Sequence, residues 1–344
     1  MPSIALDTRD GECVRFEADS ADTLLDAAAK ARLFLPALCR KGRCGACRVK
    51  AESGEVRLDD CSLEALSEAD RAAGGILLCR AHAAGDLNLR APFDHAAIAF
   101  GKIPDRAAVV RKVRQLGPHS AYLRLALEEH PDFGSAADFL PGQFFEVTVP
   151  GTEERRAYTP ANVSNFDGIL EFLADLQPGG VFSEYLSGHA RSGDRLLLTG
   201  PQGGFSPDDA SPAPRWLVAD GSGLAPVLSL LTHMMKTKDG KPCRVVCHMD
   251  DEAEGLIRER ITALRVALPQ LTVTTCAGGS APETPDRDGA LALALKSALE
   301  ANFGAAPDLY LCGSPSLVAE LKSVAARNGI SPDRIFTTSF APAV

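Results

Sequence analysis

The sequence predicts a multidomain fold of α+β and α/β class: a small mixed unit, then an antiparallel β-barrel, then a doubly wound parallel sheet. Three observations carry this. With 344 residues and 45% hydrophobic content, the chain exceeds one ordinary core and has room for two or three domains of about 100 to 150 residues. Between residues 109 and 205, short β-type runs recur at regular spacing, separated by turn residues. After residue 213, strand-like and helix-like segments alternate.

In the first segment Ile4 and Leu6, then Val14 and Phe16, alternate as two strands joined by a turn at Asp10-Gly11. DSADTLLDAAAKARLFLP follows as a short helix, with Asp22 or Thr23 as its cap and Leu24, Leu25 and Ala28 on one face. The loop LCRKGRCGACRVKAES comes next, at residues 38–53. SLEALSEADRAAG is expected to form a polar helix, and ILLCRAHAAGDLNLRAP to supply buried strands. Between residues 91 and 106 prolines flank a stretch without a clear period, which places the first boundary there, the first domain covering 1–98.

The second domain, 105–207, contains VVRKVRQLG, AYLRLAL, FFEVTVP, RAYTPAN, ILEFLADL and DRLLLTGPQGGF as short strands. The loop SPDDASPAPR then opens the third, 213–344. There WLVADG, CRVVCHM, LTVTTCAG and DLYLCG read as buried strands. They alternate with helices at GLAPVLSLLTHMMK, AEGLIRERITALRVAL, GALALALKSALEA and SLVAELKSVAARNG.

A formal net charge of -9 argues against a basic nucleic-acid surface and fits solubility or the steering of a protein partner. The opening MPSIALDTRDGE has no apolar signal region, and no stretch gives 18 uninterrupted apolar residues, so a cytoplasmic protein without membrane insertion is expected.

Six of the ten cysteines lie before residue 80, three of them within nine residues. In a reducing compartment such clustering favours metal ligation over disulfides. Cys39, Cys44 and Cys47, followed after 31 residues by Cys79, have the spacing of a plant-type 2Fe-2S site. Gly42, Gly45 and Ala46 allow backbone N–H groups near the sulfurs, and Arg40, Lys41 and Arg43 offset negative charge. Structural zinc, with its two close pairs of ligands, and redox-active thiols are the competing readings. Cys61 reads as a free or packed thiol, and Cys13, Cys243, Cys247 and Cys276 as core.

In RRAYTPAN, residues 155–162, a guanidinium suits a pyrophosphate, a phenol can pack on a ring, and a hydroxyl can bond a flavin heteroatom. QPGGVFSEYL, residues 177–186, puts Gly179, Gly180 and Ser183 at a helix start suited to phosphate. Both, in this order inside a barrel, point to a flavin site. DGSGLAP, residues 220–226, joins a buried strand to a helix as a nucleotide site does, although Pro226 replaces the third glycine of a standard Rossmann fingerprint. LCGSPS is a second such turn, with Cys312 at the strand's carboxyl end; a plain core thiol is the alternative. Asp250 and Asp251 suit a ribose hydroxyl and would repel a 2'-phosphate, favouring NADH over NADPH, with Arg258 weighing the other way.

These motifs in this order resemble the reductase components of bacterial oxygenases, over essentially the whole chain. DDCSLEALSEADRAAGGILLCR, FLPGQFFEVTVPGTEERRAYTPAN, GGVFSEYL, DGSGLAPVLSLL, DLYLCGSPSLV and IFTTSF look most like the reductase of soluble methane monooxygenase and related di-iron hydrocarbon monooxygenases. The resemblance implies a β-grasp 2Fe-2S ferredoxin domain, a barrel holding FAD and a nicotinamide domain. By position, Arg156 would bind flavin phosphate, Tyr158 pack on the flavin, and Thr159 bond near its reactive nitrogen. Gly179, Gly180 and Ser183 would hold the pyrophosphate, and Gly221, Ser222 and Gly223 the dinucleotide phosphates. Cys312 and Gly313 would lie near the nicotinamide, and Phe340 would cover the flavin. Departures from the family pattern are Asp220, Val181, Ser314 and Thr338.

The resemblance further implies a monomeric NADH-dependent reductase that passes electrons through FAD and the cluster to an oxygenase hydroxylase component. That partner would dock at the rim of Cys39–Cys47, with Asp59, Asp60, Glu64 and Glu68 available for steering. A reductase of a Rieske aromatic-ring dioxygenase and a non-catalytic iron-sulfur sensor are the alternatives.

Overall fold

The computed structural model describes residues 1–248, 254–276, 287–302 and 304–340. It divides into two compact units. The first holds Met1–Ile103 with Gln202–Phe205 and Thr337–Ser339; the second holds Pro104–Pro201, Ser206–Phe336 and the residues from Phe340.

In the first unit β1 (Ser3–Asp7) and β2 (Cys13–Glu17) form the expected hairpin, its alternation burying Ile4, Leu6, Val14 and Phe16. Helix α1 (Leu24–Lys30) is capped by Thr23, whose Oγ1 accepts the Asp26 N–H at 3.1 Å, and it buries Leu24, Leu25, Ala27 and Ala28. Each such leucine contributes about 1.5–3 kcal/mol. After β3 (Leu33–Phe34) and the cysteine loop come β4 (Arg48–Ser53), β5 (Val56–Leu58), α2 (Glu68–Ala72), β6 (Gly75–Leu77), β7 (Ala81–Ala83), β8 (Leu87–Arg90) and β9 (Ala99–Phe100). The main sheet runs β2-β1-β8-β4-β6, and its central pair, β1 and β8, is parallel. A mixed sheet around a parallel central pair, with one helix packed on it, is the β-grasp arrangement.

Two expectations change here. The helix foreseen over SLEALSEADRAAG shortens to α2, which begins at a capping box formed by Ser67 and Asp70. Residues 62–66 turn instead toward the cysteine loop, where the Ser62 N–H donates to the Gly42 carbonyl at 3.0 Å and Leu66 is fully buried. The stretch from residue 91, lacking any period, buries Phe93 and contributes β9, which pairs with β3.

The second unit opens with six strands: β10 (Asp105–Gln115), β11 (Ser120–Leu127), β12 (Phe144–Thr148), β13 (Arg155–Tyr158), β14 (Ile169–Asp175) and β15 (Arg195–Gln202). Their order is β13-β12-β15-β10-β11-β14, and an antiparallel bridge from Pro160 to Phe172 joins the two edges, closing the barrel. Leu123, Leu125, Phe145, Val147, Leu170, Phe172 and Leu198 fill it. Between β14 and β15 lies α3 (Val181–Glu184), continued by a π-helical turn over Tyr185–His189.

The alternating segments then form β16 (Arg215–Asp220), α4 (Leu224–Thr237), β17 (Cys243–His248), α5 (Glu254–Ala267), β18 (Leu271–Cys276), α6 (Arg287–Glu300), β19 (Asp308–Gly313), α7 (Pro315–Arg327) and β20 (Ile335–Ser339). The sheet order is β18-β17-β16-β19-β20, with β16 parallel to both β17 and β19. The order reverses between β16 and β19, so the crevice at their carboxyl ends is where such a sheet receives a ligand. Ties between this layer and the barrel include Ser229 Oγ, which donates to the Asn162 carbonyl at 2.7 Å, and Arg260, which pairs with Glu171 at 2.9 Å. Among the described residues no helix is long and apolar enough to cross a membrane.

Candidate functional site

The cysteine loop bends through left-handed backbone at Arg40, Gly42 and Gly45, with φ of 53°, 71° and 73°. At Gly42 a Cβ would stand 2.9 Å from Arg80 Cγ and 3.0 Å from Cys61 Cβ, so only glycine lets the loop wrap this closely. The bend turns amides onto sulfur: Cys39 N–H points at Cys44 Sγ, and Lys41 N–H and Arg43 N–H at Cys39 Sγ, each at 3.4 Å.

The four cysteines fall into two pairs. Cys47 and Cys79 have sulfurs 3.4 Å apart in a buried position, and the Cys39 and Cys44 thiols bond to one another in a half-buried one. The Cys44 thiol, with the Lys41 and Arg43 amides, lowers Cys39 to about 5, while its bond to Cys39 and burial push Cys44 up. Among the described residues no three His, Cys, Asp or Glu side chains gather as a single-ion site. Two thiol pairs with amides directed at them fit a two-iron cluster, two ligands to each iron. Cys61 stands outside the set, its sulfur accepting from Arg71 Nη2 at 3.1 Å. Cys243 and Cys247 are buried as expected and Cys276 packs half-buried against the core, whereas Cys13 is exposed, at a solvent-facing position of β2.

In the barrel, Arg156 on β13 pairs with Glu154 and donates to the Arg155 carbonyl at 2.9 Å. The Tyr158 ring packs 5.2 Å from Phe182 and 6.2 Å from Phe172, and burial raises its hydroxyl. Thr159 is only 3% exposed, and its hydroxyl makes no hydrogen bond among the described residues. Gly179 turns the chain at φ 72°, Gly180 caps α3, and Ser183 Oγ accepts the Gln177 N–H at 2.9 Å. Phe182 thus brings the end of β13 against the 179–183 turn, two motifs that are far apart in sequence.

At the crevice, Gly221–Gly223 forms a short 3-10 turn leading into α4. A Cβ on Gly223 would meet the Cys312 carbonyl oxygen at 2.7 Å, so this glycine permits the β16 and β19 turns to touch. Cys312 is fully buried, and burial pushes its thiol well up. The Gly313 carbonyl accepts the Phe340 N–H at 2.9 Å, which brings the terminal aromatic residue to the same turn. Asp250, the sequence candidate for ribose, lies outside the described residues.

Two residues here escaped the sequence reading. His248, at the end of β17, places Nδ1 3.3 Å from Asp220 Oδ1. Asp175, at the end of β14, accepts from the Ser222 N–H at 3.0 Å and from Ser222 Oγ at 2.6 Å. A small cleft opens beside it, lined by Leu173, Asp175, Ser222, Leu224 and Ile257 among others. The only sequence signal for Asp175 was an acid at the end of a mostly apolar strand.

Three family descriptions match in series. Residues 7–84 match the 2Fe-2S iron-sulfur cluster binding domain, 107–206 the oxidoreductase FAD-binding domain, and 217–323 the oxidoreductase NAD-binding domain. The propane 2-monooxygenase reductase component of Mycolicibacterium goodii is 32% identical over 93% of this chain and 92% of its own length. The chain belongs to the family of oxygenase reductase components. Methane monooxygenase component C of Methylosinus trichosporium is 33% identical over 79% of each chain. The toluate 1,2-dioxygenase electron transfer component of Pseudomonas putida is 30% identical over 98% of each. In fold, a ferredoxin reductase solved from carbazole 1,9a-dioxygenase superposes with a TM-score of 0.63 over 98% of each chain at 23% identity. As an oxygenase reductase component, the chain is an oxidoreductase with a 2Fe-2S domain, an FAD domain and an NAD domain, the order read from its motifs.

Proposed function

We propose that this reductase takes electrons from NADH and delivers them singly to the hydroxylase component of a di-iron monooxygenase. The observation that carries the electron route is the placement of the Gly221–Gly223 turn at the end of β14, where Asp175 lies close enough for its charge to act on Tyr158, which packs on Phe182. When bound, FAD supplies the conversion of a two-electron hydride into single electrons, and the 2Fe-2S cluster supplies one-electron transfer.

The residues then have distinct tasks. Cys39 with Cys44, and Cys47 with Cys79, hold the cluster, and the Lys41 and Arg43 amides stabilise the charge on Cys39 sulfur. Arg156 leaves Glu154 for the flavin pyrophosphate, beside Gly179, Gly180 and the hydroxyl of Ser183. Tyr158 packs on the ring system, and the hydroxyl of the buried Thr159, with no hydrogen-bond partner among the described residues, bonds near the reactive flavin nitrogen. Gly221, Ser222 and Gly223 meet the dinucleotide phosphates. Cys312 and Gly313 floor the nicotinamide pocket, and Phe340 shields the flavin face. Cys39 and Cys44 form the more accessible pair, so the partner docks on their rim as a cytoplasmic encounter with the monomeric reductase.

A di-iron partner is favoured by the propane and methane monooxygenase relatives; the toluate dioxygenase relative favours a Rieske oxygenase instead. Anaerobic stopped-flow mixing with NADH should bleach flavin absorption first and cluster absorption second. Multiple turnover with purified hydroxylases should then proceed with a di-iron component. Turnover only with a Rieske oxygenase would overturn the partner, and no reduction by NADH would overturn the electron route.

A further inference from the structure

We propose that the Asp175 carboxylate is a built-in competitor for the dinucleotide phosphates, and so sets how tightly the nicotinamide dinucleotide is held at the Gly221–Gly223 turn. The inference rests on the reading of that turn as the dinucleotide site and adds what governs its affinity.

Both oxygens of the acid are engaged by one residue of the turn. Oδ1 accepts the Ser222 N–H at 3.0 Å and Oδ2 accepts the Ser222 hydroxyl at 2.6 Å. A backbone N–H and a hydroxyl ahead of a 14-residue helix are the donors that a phosphate requires. The turn is moulded to the acid: a Cβ on Gly221 would lie 3.1 Å from Asp175 Oδ1. Asp175 also lines the cleft that opens at this turn, so an anion entering there meets a carboxylate on its own donors.

One N–H cannot serve two anions, and two anions side by side repel. Phosphate binding at Ser222 therefore requires Asp175 to swing out, exchanging one charge-assisted pair for another. The net gain is smaller than at a turn whose donors are free. The acid reaches the flavin side as well: burial raises the Tyr158 hydroxyl, Arg156 opposes this, and the Asp175 charge adds to it. Displacement of Asp175 thus changes the field at both halves of the site.

Calorimetric titration of ADP-ribose into the flavin-loaded full-length protein tests this without turnover. Asp175→Asn should bind about tenfold more tightly than wild type. The charge-conserving Asp175→Glu should remain weak, and KM for NADH should fall in Asp175→Asn without a rise in kcat. Asp175→Ser, uncharged and smaller, gives the same reading should the asparagine variant fail to fold. Unchanged or weaker binding in a variant that melts like wild type would make Asp175 a structural brace and overturn the proposal alone. No saturable binding in wild type or variants would overturn the dinucleotide reading of the turn and the proposal with it.

Discussion

The sulfurs of Cys47 and Cys79 lie 3.4 Å apart in the interior although they are 32 positions apart in the chain, while Cys39 and Cys44 make the second pair within one loop. β4 and β6, which follow Cys47 and precede Cys79, pair antiparallel, with Arg48 opposite Leu77; that register brings the sulfurs together. Cys79→Ser should abolish the cluster, lowering electron transfer to an external one-electron acceptor protein by about 100-fold, while NADH still bleaches the flavin. Iron content and visible absorption check it, with Cys61→Ser expected to keep full iron.

Thr159 is buried without a hydrogen-bond partner among the described residues. A hydroxyl in that position can donate to or accept from a bound ligand. Thr159→Ala should retain flavin yet slow its reduction by NADH roughly tenfold, and Thr159→Ser should restore most of the rate. Rapid-mixing absorbance at saturating NADH measures both.

Gly223 allows the two crevice turns to touch, and a methyl group there would stand 2.7 Å from backbone oxygen of Cys312. Because that neighbour is backbone, it cannot rotate away. Gly223→Ala should destabilise the second unit by about 1–3 kcal/mol and weaken dinucleotide binding together. Urea unfolding followed by fluorescence of Trp216, on β16, reports the first effect.

Burial pushes Cys243 and Cys247 from 9.0 up to about 12. Above about pH 9 the unfolded chain releases these protons while the native state keeps them, so stability is intact below that pH and is lost as pH rises toward the folded values. Each thiol contributes about 1.4 kcal/mol per pH unit across that window. Urea midpoints at about pH 8 and about pH 10 should show the loss, and Cys247→Ala should flatten it.

Much of the architecture was legible because its signals are local. Period-two alternation placed Ile4, Leu6, Val14 and Phe16 inside, and strand-helix alternation located every element from β16 to α7 to within a few residues. The shortened helix α2 was not legible, since Leu66 is buried and Ser62 bonds to the cysteine loop only after the loop has closed over that segment. Cys13 read as core because strand residues often are, yet its face of β2 looks outward.

The sequence by itself determined the order of the three modules and marked the four cysteines proposed as cluster ligands. Cysteine spacing within a short loop limits which sulfurs can converge, and Arg-x-Tyr-Thr and the glycine turns act through backbone only a few residues away. Tertiary structure alone decided that Cys47 pairs with Cys79, that Phe182 brings Tyr158 to the 179–183 turn, and that Asp175 occupies the donors of Ser222 across 47 residues. These depend on strand register and barrel closure, which are collective results of packing, so no local pattern in the chain encodes them.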